Sequence, residues 1–268
     1  MGLPKTGARV WLLAGAAAVV LVVLGVVAWL ALPGKSGSPA AAPAEASHVT
    51  GETVTKVLLT GDELSTLLGQ PFKSTTGRPV YGGFDEMEVP TSTGDCVGVM
   101  NVAPQQVYSP TQVRSYARQT FSDATPGEGS PHRLSGKVMF VEESVVALPT
   151  AADARAVFAT FADQWKRCDG RAVNPAPDSD TSKGPPRLPG TEIHISDVQV
   201  TDTTLAASIG LDQKPDAPDT RAVGVQGNCI VGILIAFTGE EHGAGSAQPE
   251  TSSTEAVRAM MAKVAQLS

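Results

Sequence analysis

The sequence predicts an α+β fold: a twisted antiparallel sheet with helices packed on it, preceded by one N-terminal transmembrane helix. Three observations carry this. Short β-branched and apolar runs recur between residues 137 and 237, with turn residues between them. Segments near the start, middle and end of the same region place apolar residues at helical spacing. Val10–Leu32 is an unbroken apolar run of 23 residues without charge or proline. Strands in meander order, with helices at the start, middle and end, suggest an antiparallel sheet with helices packed on it.

At about 1.5 Å of rise per residue, the run 10–32 is long enough to cross a hydrocarbon core of about 30 Å. It exceeds the roughly 7–15 apolar residues of a signal-peptide core. Trp11 and Trp29 sit near its ends, where amphipathic rings favour the interface. Lys5 and Arg9 precede it in a tail without acids, and Lys35 beyond it does not outweigh the pair. The positive-inside rule then orients the chain. Residues 1–9 are expected as a cytoplasmic tail, 10–32 as a signal anchor, 33–53 as a flexible stalk and 54–268 as an extracytoplasmic domain. The competing reading is a long signal peptide cut within Ala40–Ala46. A lipoprotein is excluded, because the first cysteine is Cys96.

The 234 residues after position 34 suffice for one domain with a real core. They hold all 27 acids and 18 of the 20 bases, a net charge of −9. Such a surface argues against nucleic acid and against docking on anionic headgroups. Asn101, Asn174 and Asn228 lack the Ser or Thr that a glycosylation sequon needs.

The stalk is Gly, Ser, Pro and Ala with scattered charge, able to bury little. Thr60 and Glu63 form a capping-box signature ahead of Leu64, Leu67 and Leu68, with Gly69 and Pro71 marking the stop. Asp95–Ala103 is Val-rich and reads as a strand carrying Cys96. Val107–Ser122 fits helix or strand, with strand favoured. Lys137–Leu148 reads as a strand. Thr150 then caps the best helix, with Asp153 at its positive end. Its stripe runs Ala154, Val157, Phe158, Phe161, Trp165 and Cys168, so Cys168 faces the core in the last turn.

Asn174–Gly190, with five prolines, is a loop of unusual length and hence mobile or functional. Thr191–Val200 and Thr204–Leu211 are strands. Arg221–Gln226 and Cys229–Phe237 form a hairpin around Gly227-Asn228. Gly239–Ser252 is a polar loop. Ser252 and Glu255 form a second capping-box signature, followed by Val257, Met260, Met261, Val264 and Leu267.

A nucleophile site is absent from the sequence: there is no Gly-x-Ser-x-Gly elbow and no Ser-x-x-Lys pair. Lys5-Thr6-Gly7 lies on the expected cytoplasmic tail and is a chance match. His48, His132, His194 and His242 are not at metal-ligand spacing. Carboxylate pairs occur at Asp85/Glu86/Glu88, Glu142/Glu143 and Glu240/Glu241. Adjacent acids on a strand point to opposite faces, so Glu142 and Glu143 cannot line one cleft. No phosphate-binding glycine loop is present. The expectation is therefore no catalytic residue, no metal and no cofactor. Trp165 is expected in the core.

Three cysteines in an exported domain allow at most one intramolecular disulfide. Pairing Cys96 with Cys168 closes a loop across 72 positions, worth on the order of 4 kcal/mol in the chain-entropy model. Pairing of Cys229 with either of the other two, or with another chain, stays open on the residues alone. A buried thiol is the default for Cys229.

Several stretches occur in a telling order: Leu58–Pro71, Gly94–Val99 with Tyr108 downstream, Leu148–Ala154, Trp165-x-x-Cys168, and Arg221–Gly224 with Gly227-Asn228. Together they resemble the PknH-like extracellular domain, the exterior sensor module of actinobacterial receptor kinases that also occurs in stand-alone exported proteins. The resemblance spans about Val54–Ser268. It implies a twisted antiparallel sheet with a wide ligand cleft, and a disulfide between Cys96 and Cys168. It also implies a second disulfide, with one cysteine just before the Arg-Ala pair and one about a strand later. Asp219 and Thr220 stand at the first place and Ile235-Ala236-Phe237 at the second, so that bond is missing here and the firmness of the C-terminal hairpin is in question.

The function expected is a non-enzymatic, membrane-tethered sensor-like domain without its own kinase domain. It would bind an envelope-derived small molecule or lipid in a cleft of small residues between helix and sheet. The alternative is a structural or assembly protein of the envelope that contacts protein partners through the 174–190 loop and the acidic surface.

Overall fold

The computed structural model describes residues 48–90, 94–109, 112–126, 135–173, 192–211, 214–239 and 243–268. The expected tail, transmembrane run and 174–190 loop lie outside these residues, as do His132, Glu240, Glu241 and His242. Among the described residues no helix is long and apolar enough to cross a membrane.

Among the described residues nine strands form one antiparallel sheet: β1 (Phe72–Ser74), β2 (Val80–Gly82), β3 (Ser115–Asp123), β4 (Val138–Ala147), β5 (Ala172–Val173), β6 (Ile193–Val200), β7 (Thr204–Leu211), β8 (Lys214–Gln226) and β9 (Cys229–Phe237). Their order is β1-β3-β4-β9-β8-β7-β6-β5, with β2 also on β3. This corrects the simple meander expected. After β4 the chain crosses the sheet through helix α3 (Ala151–Cys168), starts again at the far edge and meanders back until β9 pairs with β4. Strand β9 is therefore central, and all nine of its residues are buried. Burial on both faces explains its continuous apolar run, Cys-Ile-Val-Gly-Ile-Leu-Ile-Ala-Phe.

One face of the sheet is covered by α3. Its stripe packs with Leu205, Ala207 and Ile209 of β7 and Val223 and Val225 of β8. Each large side chain buried this fully contributes about 1.5–3 kcal/mol. The hydroxyl of Thr150 accepts from the Asp153 N–H at 3.1 Å, the cap expected. The other face is covered by a 3-10 helix (Gly51–Val57), by α1 (Gly61–Leu68) and by α4 (Ser252–Leu267). Val257, Met260 and Val264 of α4 pack with Ala222, Val231 and Ile233. A Cβ at Gly224 would lie 2.6 Å from Val257 and Met261, so α4 approaches β8 this closely only over glycine.

The first capping box forms as expected: Glu63 donates its N–H to Thr60 Oγ1 at 3.2 Å and its carboxylate accepts the Thr60 N–H at 2.7 Å. The second does not. Helix α4 already includes Ser252, its N-cap is Thr251 without a side-chain bond, and the Ser252 hydroxyl accepts from the Gln248 N–H at 2.9 Å. Serving the preceding loop removes that hydroxyl from capping.

Two further segments depart from expectation. Asp95–Ala103 is not a strand; Val97–Met100 forms a one-turn helix, α2. Val97, Gly98 and Val99 are all buried, and a short apolar run without polar alternation carries no period to tell helix from strand. Within Val107–Ser122 the strand begins only at Ser115, after a 3-10 turn at Gln105–Val107. The folded domain also starts before Val54. Val49 is buried, its N–H donates to Asn228 Oδ1 at 3.1 Å and its carbonyl accepts from Asn228 Nδ2 at 2.9 Å.

Candidate functional site

Cys96 and Cys168 form a disulfide with Cα atoms 5.8 Å apart, tying the start of α2 to the last turn of α3. Cys229 is a buried free thiol, pushed up to about 12 by burial. Beside the disulfide, Arg221 of β8 is fully buried without a carboxylate partner among its hydrogen bonds. Its Nε donates to the Val99 carbonyl at 3.2 Å and its Nη2 to the Asn101 carbonyl at 2.8 Å. Its Nη1 reaches the carbonyls of Ile233 at 2.6 Å and Ala222 at 3.2 Å. The guanidinium lies 5.9 Å from the centre of the Trp165 ring, and burial pulls it down to about 10. The segment around α2 is thus held by a covalent bond at one end and by a cation at the other. Trp165 is fully buried, as expected.

The carboxylate pairs separate as strand geometry requires. Glu142 lies on the α3 face and joins Glu88 on Arg118, at 2.9 and 2.6 Å. Burial raises the Glu142 carboxyl, against the opposing pull of Arg118. Glu143 points to the other face. Glu88 and Glu142 are brought together, but on opposite sides of a neutralising guanidinium rather than across an open cleft. Asp85 and Glu86 are in a 3-10 turn. Among the described residues no three of His, Cys, Asp and Glu gather closely enough for a metal ion.

An open site lies elsewhere. Helix α4 packs chiefly on β8 and β9, which leaves the same face of β6 and β7 uncovered beside its N-terminal end. The result is a groove of about 620 Å³. Its floor follows strand alternation: Ile195, Leu205 and Ala207 face the α3 core, while His194, Ser196, Ala206, Ser208 and Gly210 face the groove. His194 pairs with Gly210 and Ser196 with Ser208 across the two strands. A Cβ at Gly210 would meet nothing within 4 Å, so the floor is open there. A bulge between Ser196 and Gln199 turns Asp197 into the left-handed region at φ 55°, and the Ser196 hydroxyl donates to its carboxylate at 2.9 Å. Asp216 and Pro218 of β8 form one wall, Pro249, Glu250 and Ser253 another. Among the described side chains no Lys or Arg lines it.

The sequence model for the PknH-like extracellular domain matches residues 49–263. The chain belongs to the PknH-like extracellular domain family. The serine/threonine-protein kinase PknH of Mycobacterium tuberculosis H37Rv is 35% identical over 164 residues, covering 60% of this chain and 24% of the kinase. PknH of Mycobacterium bovis matches at the same identity over 25% of its length. The chain thus spans about a quarter of the curated relatives it matches. The crystal structure of the extracellular domain of PknH from Mycobacterium tuberculosis shares the fold, with a TM-score of 0.63 at 21% identity over 82% of this chain and 98% of that one. Asp219 stands directly opposite Ala236 and Thr220 opposite Ile235 in the β8–β9 ladder. The hairpin keeps an unbroken register from Asp219 to Gln226 without a covalent link, and β9 is paired on its other side by β4.

None of the groove residues except His194 was singled out by sequence reasoning. They come from three strands, a loop and the first turn of α4, and each is an ordinary Ser, Ala, Asp, Glu, Gly or Pro in its own segment.

Proposed function

We propose that this PknH-like domain is a non-enzymatic, extracytoplasmic sensor-like module, tethered through residues 10–32, that binds an envelope-derived small molecule or lipid headgroup in the β6–β7 groove. The observation that carries this is the groove itself. It is concave, of the size that holds drug-sized ligands, floored mostly by small residues and left uncovered by α4. The arrangement of Glu88, Arg118 and Glu142 supports no hydrolytic reading, because neither carboxylate is set to give or take a proton across a substrate bond.

A second reading, contact with an envelope protein, draws support from Val80 and Tyr81, which are 41% and 40% exposed on the short edge strand β2.

Native mass spectrometry of the full chain isolated from its own envelope tests the first reading. The expected result is a defined extra mass that leaves on denaturation and is missing from Gly210→Leu, whose side chain fills the open floor. Bare protein, or a mass that Gly210→Leu retains, refutes it. A co-purifying protein lost on disruption of β2 would establish the second.

A further inference from the structure

We infer that Glu143 is a proton-operated latch: its neutral carboxyl seats the Leu58–Leu59 link, and with it the 3-10 helix and α1 on either side, on the sheet, so that acid tightens the seat and neutrality loosens it.

One peptide group is held from both ends. The N–H of the Leu58–Leu59 peptide donates to Glu143 Oε2 at 3.0 Å, and its carbonyl accepts from Lys263 Nζ of α4 at 2.7 Å. Lys263 also donates to both carboxylate oxygens of Glu63 in α1, at 3.0 and 2.8 Å. Glu143 itself is fully buried, and its Oε1 has no hydrogen-bond partner among the described residues. Water is thus shut off from the carboxyl while the link is seated and reaches it when the link lifts. A negative charge there costs far more in the seated state than in the lifted one.

The surrounding charges do not cancel that cost. Lys263 faces Glu143 from α4 and Glu63 from α1, with opposite effects. Its partners on β3 and β9, Gln119 and Ile233, carry no charge. Glu52 and Lys56 of the 3-10 helix are exposed, and the buried Cys229 thiol further along β9 is neutral. Burial therefore prevails and pushes the seated carboxyl up to about 8, against 4.5 for a solvated one. Between these values the seated state holds the extra proton. The seat is at full strength below 4.5, weakens about tenfold per pH unit above it, and levels off past 8.

The side that yields is the link. Strand β4 is paired along both edges, by β3 and β9, and cannot move without breaking the sheet. Leu58–Thr60 is only the junction between two helical segments. Val49 stays fastened to Asn228 upstream, so the loosening is local.

The test is hydrogen exchange read by mass spectrometry on the full chain from about pH 5 to 9, each rate divided by the intrinsic rate at that pH. Protection over Leu59–Leu68 should fall about tenfold per pH unit and level off near 8. Dilute urea should leave this exchange unchanged while speeding that of β9, the mark of a local opening. Glu143→Gln should flatten the fall. Lys263→Met should carry the levelling point to higher pH, because Lys263 holds the seated carboxyl down, and Lys263→Arg should restore it. A merely structural Lys263 would lower protection at every pH without moving that point. Protection independent of pH, a fall that Glu143→Gln retains, a levelling point unmoved in Lys263→Met, or a urea dependence equal to that of β9 overturns the inference.

Discussion

Glu143 of β4 accepts the Leu59 N–H at 3.0 Å with one carboxylate oxygen, while its other oxygen is buried and has no hydrogen-bond partner among the described residues. A carboxylate would leave that second oxygen unsolvated; a carboxylic acid does not need a second donor. Burial accordingly pushes the group up to about 8, against the Leu59 bond and the more distant Lys263 of α4, with Glu63 of α1 pushing the same way as burial.

This makes stability fall with pH in a defined window. The unfolded carboxyl ionises near 4.5 and the folded one near 8. Between these values the folded state holds the extra proton, so its advantage is full below 4.5 and is lost as pH rises through 8. The local slope approaches about 1.4 kcal/mol per pH unit. Urea denaturation at several pH values across the window should show the decline, and Glu143→Gln should flatten it. An unchanged slope in that variant would place the dependence elsewhere.

The disulfide assignment separates the three cysteines. Cys96→Ser and Cys168→Ser should each cost about 2–4 kcal/mol and free one additional thiol under denaturing conditions. Cys229→Ser should free none and change stability less, because it removes only a small buried sulfur. Equivalent losses from all three substitutions, with equal thiol counts, would contradict the pairing.

Arg221→Met removes the donor to four main-chain carbonyls and leaves buried acceptors behind, at a cost of about 3 kcal/mol or more. Arg221→Lys keeps the charge but not the planar fork, and should fall between Met and the native chain. Hydrogen exchange should quicken at the amides of Val99, Met100 and Asn101 in both variants. Full rescue by Lys would reduce the role of Arg221 to its charge.

The legible parts of this fold are those where a single segment carries its own pattern. The α3 stripe, the Thr60 capping box, the β8–β9 hairpin and the opposite facing of Glu142 and Glu143 all follow from local period or local hydrogen bonding. The Cys96 segment was misread because its burial comes from α3 on one side and Arg221 on the other, both far away in sequence. A signal for Arg221 did exist: a cation at the head of the apolar run Ala222–Val225, in a strand destined for the centre of a sheet, must find buried acceptors. The strand order hinges on the α3 crossover, which no local pattern announces. The groove was hidden for the same reason, since its walls meet only after β6 returns beside β7 and α4 stops short of them.

The reciprocal bonds between Val49 and Asn228 have a mechanical meaning. Asn228 sits in the turn joining the two innermost strands and also donates to the Leu148 carbonyl at the exit of β4. Tension arriving along the polypeptide from its amino-terminal side would therefore be delivered to the middle of the sheet, not to an expendable margin. Peeling would have to begin where pairing is densest, and the groove at the opposite flank would keep its shape under load.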